Sequence, residues 1–311
     1  MYVLVAEPEA EDYKKDLEAK FPGVPIHAVT TQEDIRYHVD TMEILVTIFR
    51  VADELLKQAV NLKWIQVMTS GVNYLLSRPS LRKDIIITSG RGIHGPQMSE
   101  MAFLLMLALN RNFPQFVRNQ DQRHWEKWPA KLLYRKKVGI LGVGVIGEEI
   151  AKKCKVFGMT VFGLDIVRRN IDSVDFFYGP EDLPQVAGEV DYLIIVAPST
   201  PETEKIVGTK VLASMKPTAF LINIARGEIV DEQALIQALE TGKIAGAALD
   251  ALSIEPLPKD HPLWGTKNLI ITPHVGGISD IYREQMMPII EENLRRFLRG
   301  ERRNLINYIE R

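Results

Sequence analysis

The chain has 311 residues, enough for two domains of ordinary size with a full hydrophobic core in each. Hydrophobic residues make up 46%, charged residues 25%, and the net charge is −2, so neither nucleic acid nor an anionic membrane is expected as the main partner. The longest apolar run, residues 101–109, is too short to span a bilayer, no basic-plus-apolar leader follows Met1, and the single Cys154 can form no internal disulfide; together these point to a reducing cytoplasm.

Residues 2–6 open the chain as an apolar β-run, and an amphipathic helix pattern follows over 9–21. Residues 25–29, 43–49, 62–68 and 85–88 read as further short strands, with a helix over 52–60. Strands alternating with helices predict an open parallel α/β sheet. Two loops follow strands here, Thr69-Ser70-Gly71-Val72-Asn73 and Ser89-Gly90-Arg91-Gly92-Ile93-His94-Gly95. Ligands of such sheets sit outside the carboxyl ends of strands, so both loops are site candidates, although ordinary Gly/Ser/Asn turns read the same way.

Residues 96–111 form one long apolar helix pattern with Pro96 in its first turn, which suits an element buried between two domains. The polar and aromatic stretch 112–136, with Trp125 and Trp128, reads as an excursion covering a partner subunit or a cleft, or as a plain connection. Then comes KVGILGVGVIGEEIAKK, residues 137–153, in which an apolar β-run meets Gly142, Gly144 and Gly147 and a helix pattern starts at Val145 and Ile146. Gly142 permits a tight turn, Gly144 lets backbone approach a pyrophosphate, and Gly147 lets the helix pack against the sheet with its N–H groups toward the phosphates. A second β-run ends at Asp165, where a carboxylate takes the adenosine ribose hydroxyls.

Strands over 138–141, 160–163, 192–197, 219–224, 246–249 and 269–271 predict a six-stranded doubly wound dinucleotide domain. A last helix, 278–299, is long enough to return to the first domain, and its arginine-rich end reads as a solvated helix terminus. The expected division is residues 1–99 and 284–311 for a split substrate domain and 100–283 for the cofactor domain.

Three ionisable residues follow predicted strands of the second half: Arg226, Glu255 and His274. They suit reduction of a 2-keto acid. Arg226 offers a planar fork for a carboxylate, His274 can give a proton to the carbonyl oxygen, and Glu255 would hold His274 as imidazolium. His27, His38, His94 and His124 have no such setting, and His261 reads as structural. One cysteine and dispersed histidines give no metal-ligand spacing, and no G-x-S-x-G elbow is present.

With these residues in hand, the sequence resembles the D-isomer-specific 2-hydroxyacid dehydrogenases over nearly its whole length. The resemblance rests on the glycine fingerprint with Asp165, on Val196-Ala197-Pro198-Ser199-Thr200-Pro201-Glu202-Thr203, and on Asn223-Ile224-Ala225-Arg226-Gly227-Glu228-Ile229-Val230-Asp231. It continues through Asp250, Glu255-Pro256-Leu257-Pro258, His261-Pro262-Leu263-Trp264 and Thr272-Pro273-His274-Val275-Gly276-Gly277. It implies Arg226, Glu255 and His274 as the catalytic trio, and a Ser70-Gly71-Val72 loop holding the substrate carboxylate through backbone N–H groups. Arg91 is a candidate cation for a phosphorylated substrate. The implied cofactor contacts are Gly142, Gly144, Val145, Ile146, Gly147, Asp165, Ala197, Pro198, Thr203, Ile224, Ala225, Arg226, Asp250, His274, Gly276 and Gly277, with Asp250 on the nicotinamide carboxamide. It also implies a flavodoxin-like split substrate domain around a Rossmann domain, and a homodimer. Two departures stand out: Ala251-Leu252-Ser253-Ile254 where the family often has Val-Phe after the aspartate, and Met101 where an aromatic residue or histidine is common. The expected activity is hydride transfer between a nicotinamide and a 2-keto acid/D-2-hydroxy acid pair, of glyoxylate/hydroxypyruvate type or 3-phosphoglycerate type, with NAD favoured over NADP because Asp165 repels a 2′-phosphate. A nucleotide-sensing binding protein of co-repressor type is the rival reading.

Overall fold

The computed structural model describes residues 2–311, which divide into two units, residues 2–93 with 279–311 and residues 94–278. In the first unit, short runs rich in Val, Ile and Leu form five parallel strands: β1 Val3–Ala6, β2 Ile26–Val29, β3 Ile44–Thr47, β4 Trp64–Val67 and β5 Ile86–Thr88. They lie in the order β2-β1-β3-β4-β5, the flavodoxin-like arrangement. Both faces are covered, so the strands are apolar without alternation. Val3, Val5, Ile44 and Trp64 face helix α1 (Ala10–Lys20) and the late helix Tyr282–Leu298, whereas Leu4, Leu45, Ile65 and Ile87 face α2 (Asp53–Gln58) and α3 (Asn73–Leu76).

The end of the chain is tied into this sheet by buried polar groups. Thr88 Oγ1 donates to Gln66 Oε1 (2.7 Å), the Asn293 amide donates to the same oxygen (2.9 Å), and Asn293 Oδ1 accepts the Ile306 N–H (2.6 Å). Each of these buried groups is satisfied by another, which fixes the register of the tail as it runs antiparallel beside β5.

Glu7, just past β1, is buried, and its Oε1 has no hydrogen-bond partner. Burial, reinforced by the nearby Glu9 charge, pushes its carboxyl up to about 7. Its unfolded-state value is near 4.5, so folding stability falls as pH rises from about 4.5 to about 7 and stays lower above that. Glu7→Gln is therefore expected to raise stability at pH 8 by roughly 1–3 kcal/mol and to leave it little changed near pH 4.5. Denaturant titration across that range measures it; parallel curves for the two proteins would refute the burial argument.

The second unit opens with α4 (Gly95–Arg111) and α5 (Phe113–Asp121). Seven parallel strands follow: β6 Lys137–Leu141, β7 Thr160–Leu164, β8 Phe176–Tyr178, β9 Tyr192–Ile195, β10 Phe220–Asn223, β11 Gly246–Leu249 and β12 Leu269–Ile271. Their order, β12-β11-β10-β9-β6-β7-β8, is the doubly wound dinucleotide arrangement with one further edge strand. One face packs on α4 and α6 (Val145–Val156) through Val138, Ile140, Ile194, Ile222 and Ala248. The other packs on α7 (Leu183–Glu189), α8 (Thr209–Ser214) and α9 (Glu232–Glu240) through Leu193, Leu221, Ala247 and Leu249. Asp231 caps α9, its Oδ1 accepting from the Gln233 and Ala234 N–H groups at 3.1 Å. The helix returning to the first unit is α10, Tyr282–Leu298.

Three details differ from the sequence reading. The short edge strand β8 carries only three residues, too few for a periodic signal. The stretch after α4 is not all irregular, because Phe113, Phe116 and Val117 recur at helical spacing on α5. α10 begins at Tyr282, after a turn at 280–281. Among the described residues no helix is long and apolar enough to cross a membrane.

Candidate active site

The glycine loop between β6 and α6 takes its shape from close backbone approaches. Gly142 sits at φ +97°, and an added Cβ would lie 2.6 Å from the Ala197 nitrogen, so the segment after β9 crosses directly against it. A Cβ on Gly147 would meet the Gly142 carbonyl oxygen at 2.2 Å, which is how α6 starts so near the strand it follows. Above Gly144 a Cβ would meet nothing within 4 Å. That open backbone, at the N-terminus of a 12-residue helix, fits a pyrophosphate cradle. Asp165 closes the far side: its Oδ2 accepts the Val143 N–H (2.8 Å) and its Oδ1 the Val167 N–H (3.2 Å). Arg169 folds back over the loop, donating to the Val143 carbonyl and pairing with Glu148 at 2.8 Å. After β9, Thr203 Oγ1 donates to the Pro198 carbonyl (2.8 Å) and accepts the Thr200 N–H (2.8 Å), holding the Ala197-Pro198 turn.

Arg226, Glu255 and His274 come from the carboxyl ends of three adjacent strands, in which Asn223 of β10 pairs with Leu249 of β11, and Leu249 with Ile271 of β12. Asn223 is fully buried and braces the first loop. Its amide donates to the Arg226 carbonyl (2.8 Å), and its Oδ1 accepts the Ala225 N–H (3.0 Å). Asp250, also buried, braces the third, accepting from Thr272 Oγ1 (2.6 Å), the Val275 N–H (3.1 Å) and the Gly276 N–H (2.9 Å). His274 occupies the left-handed region at φ +54° on this braced turn. Both Glu255 oxygens lie 2.9 Å from His274 Nδ1, and Glu255 Oε1 also accepts the Leu252 N–H at 3.0 Å. A carboxylate on Nδ1 fixes the ring and leaves Nε2 as the working nitrogen. Glu255 and His274 are thus in direct contact, and Arg226 is presented from the neighbouring strand.

The two sequence departures are accommodated. Leu252 packs in the core beneath Glu255, and Met101 on α4 lies against Gly276, where an added Cβ would come 3.0 Å from its Cγ.

His94 corrects the sequence reading, which gave it no site setting. It is 7% exposed and precedes α4, with an added Cβ on Gly277 falling 3.5 Å from its Cδ2. Burial first, and then the Arg226 charge, lower it to about 4, so it is a neutral imidazole beside the guanidinium. Nothing local in the sequence marks this, because Arg226 is brought to it only by the sheet.

The remaining candidates lie in the first unit. Ser70, Gly71 and Val72 follow β4, and Arg91 follows β5 in an exposed turn whose carbonyl accepts from the Asn307 amide (2.6 Å). Cys154 is buried on α6, and burial pushes its thiol up to about 12, which removes it as a nucleophile. Among the described residues no His/Cys/Asp/Glu group could hold a metal ion.

Residues 103–276 match the family model described as D-isomer specific 2-hydroxyacid dehydrogenase, NAD binding domain. The chain is 32% identical over 312 residues to the D-3-phosphoglycerate dehydrogenase of Methanocaldococcus jannaschii, covering 98% of this chain but 59% of that one. It therefore spans little more than half the length of that relative. It is 35% identical over 248 residues to the human glyoxylate reductase/hydroxypyruvate reductase, covering 78% of this chain and 75% of that one. Its structure superposes, with a TM-score of 0.84 and 29% identity, on a protein of Xanthobacter autotrophicus Py2 solved with NADPH and MES, covering 99% of this chain and 98% of that one.

Proposed function

The chain belongs to the D-isomer specific 2-hydroxyacid dehydrogenase family, whose members are hydride-transfer oxidoreductases, and we propose that it interconverts a small 2-keto acid and the corresponding D-2-hydroxy acid with NAD as cofactor. The observation that carries this reading is the His274–Glu255 contact, with both carboxylate oxygens 2.9 Å from Nδ1 on a turn braced by Asp250.

A bound nicotinamide supplies the hydride for reduction and accepts it for oxidation. The chain's own residues do the rest. His274 holds a proton at Nε2 and passes it to the oxygen of the reacting carbonyl, while Glu255 keeps the ring oriented and stabilises the charge it carries. Arg226 binds the substrate carboxylate with two parallel N–H groups and, by its charge, polarises the adjacent carbonyl. The Ser70-Gly71-Val72 loop offers backbone N–H groups to a carboxylate. The glycine loop and Asp165 bind the adenosine diphosphate portion of the cofactor, and Asp250 its carboxamide. Incubating the protein with NADH and a panel of 2-keto acids, following NADH absorbance, tests the reading; no oxidation with any member would overturn it.

The preference for NAD rests on Asp165. Its carboxylate immediately follows β7, where the adenosine ribose sits in this fold, and a carboxylate 4 Å from a phosphate charge meets about 4 kcal/mol of repulsion at an effective dielectric near 20. Arg169, which reaches the loop, is already paired with Glu148. Solvent screening reduces the repulsion at this half-buried position, so a ten- to hundredfold preference in kcat/KM for NADH over NADPH is expected. Assaying both cofactors side by side checks it, and equal use of NADPH would mean that Arg168 or Arg169 reads the ribose instead.

A homodimer is part of the same reading. Phe113, Phe116, Val117, Trp125, Leu132 and Tyr134 crowd the exposed surface of α5 and the segment after it, an apolar area of the kind that subunit contacts cover. A cytoplasmic location accords with a lone, buried Cys154.

A further inference from the structure

Glu232, in the first turn of α9, has no role in the chemistry above, yet its side chain reaches away from its own helix. Its Oε1 accepts the Ser253 N–H at 2.8 Å, 21 residues along the chain, in the loop that carries Glu255.

The helix does not depend on Glu232 for its start. Asp231 already caps α9 through the Gln233 and Ala234 N–H groups, and Leu235, Ala238 and Leu239 bury the helix against the sheet. Glu232 therefore projects from a fixed base. Ser253 is exposed, where water satisfies an N–H as well, so the carboxylate is not there to rescue a buried donor. What it does is hold the peptide in place.

That peptide lies at the junction of two site loops. On one side, Gly227 directly follows Arg226, and an added Cβ there would lie 2.0 Å from the Leu252 carbonyl carbon and 2.1 Å from the Ser253 nitrogen. Backbone packs on backbone, with no flexible side chain between the loops to absorb a shift. On the other side, the preceding N–H, of Leu252, is accepted at 3.0 Å by Glu255 Oε1. This is the carboxylate whose two oxygens lie 2.9 Å from His274 Nδ1. Two successive N–H groups are thus taken by two carboxylates, one facing the histidine and one rooted in α9. A movement of the peptide away from Gly227 would carry Glu255 with it, while Asn223 keeps the Arg226 loop where it is.

We propose that Glu232 is a positioning residue for the reaction: from α9 it clamps the Leu252–Ser253 peptide against Gly227 and so sets the placement of Glu255 relative to His274 and Arg226. The inference rests on reading Arg226, Glu255 and His274 as the reacting groups. Catalytic geometry is sensitive to displacements of about 1 Å, so a side chain one step removed from the histidine still governs the rate.

Steady-state kinetics of the full-length protein, together with amide hydrogen exchange over residues 249–256, tests the clamp. Glu232→Ala is expected to lower kcat for keto-acid reduction roughly 5- to 30-fold, somewhat less than a full charge-assisted hydrogen bond because water takes over the exposed N–H. KM and NADH affinity should stay within about twofold of wild type, since Asn223 secures the Arg226 loop independently. Glu232→Gln keeps an oxygen acceptor for the same N–H and should bring kcat back to within about threefold of wild type. In a Glu255→Gln background, where the carboxylate being positioned is gone, Glu232→Ala should cost less than about twofold more, whereas independent effects would multiply. Exchange over 249–256 should quicken in Glu232→Ala and return to the wild-type rate in Glu232→Gln.

Wild-type turnover in Glu232→Ala, a loss that Glu232→Gln does not relieve, or the same loss in the Glu255→Gln background would overturn the proposal. Unchanged amide exchange in Glu232→Ala overturns it whatever the kinetics. If the wild type reduces no keto acid, the proposed function fails and the exchange result alone decides the clamp: faster exchange in Glu232→Ala, restored in Glu232→Gln, supports it.

Discussion

His274→Gln is expected to lower kcat/KM for keto-acid reduction by about 10²- to 10⁴-fold, the usual worth of a positioned general acid. Glutamine keeps a polar group near the position of the ring but cannot hold and release a proton at neutral pH. The turn itself should survive the change. His274 is part-exposed at φ +54°, and the hydrogen bonds that shape the turn run from Thr272, Val275 and Gly276 to Asp250, none through the imidazole. NADH affinity, measured by fluorescence titration, should therefore stay within about threefold of wild type, since less than 1 kcal/mol of binding is at stake. A variant that reduced keto acids at the wild-type rate would show that the proton comes from elsewhere, and a large loss of NADH affinity would show that His274 acts on the cofactor.

Arg226→Gln should have an effect of similar size with a different signature. Removing one partner of a desolvated, hydrogen-bonded charge pair costs roughly 2–5 kcal/mol, or about 30- to several thousandfold in kcat/KM. Part of that loss should appear in KM, because the carboxylate is bound in the ground state, whereas the His274 loss should fall mainly on kcat. The backbone of the loop is secured by Asn223 rather than by the guanidinium, so the fold gives no reason for collapse. The change also removes the charge that helps to hold the neighbouring His94 neutral. Arg226→Lys is a sharper control, since it restores the charge without the planar fork. Recovery to the wild-type value would mean that charge alone suffices, and bidentate geometry would then have to be abandoned.

Much of this protein is legible in its order of residues, for a definite reason. The strand–glycine–helix junction at 137–153 is largely local, because Gly147 answers to the Gly142 carbonyl within the same βα unit and Gly144 leaves open backbone at the helix start. Only the crossing of Ala197 over Gly142 comes from farther along the chain. Arg226, Glu255 and His274 are likewise readable as residues of strand-end loops, since a parallel sheet places all its carboxyl ends on one side, whichever strands are neighbours. Strands buried on both faces lack alternation but remain visible as apolar runs between turn residues. What the sequence did not disclose depends on which strands are neighbours and on what packs over their ends. β8 is too short to have a period, and it exists only because β7 offers it an edge. Glu7 follows an apolar strand and looks like a loop carboxylate, yet burial raises it to about 7. His94 and Arg226 lie 132 positions apart. Burial and charge depend on distance through space. Sequence spacing predicts that distance only within a single helix, strand or turn, so these couplings were decided by the tertiary structure alone.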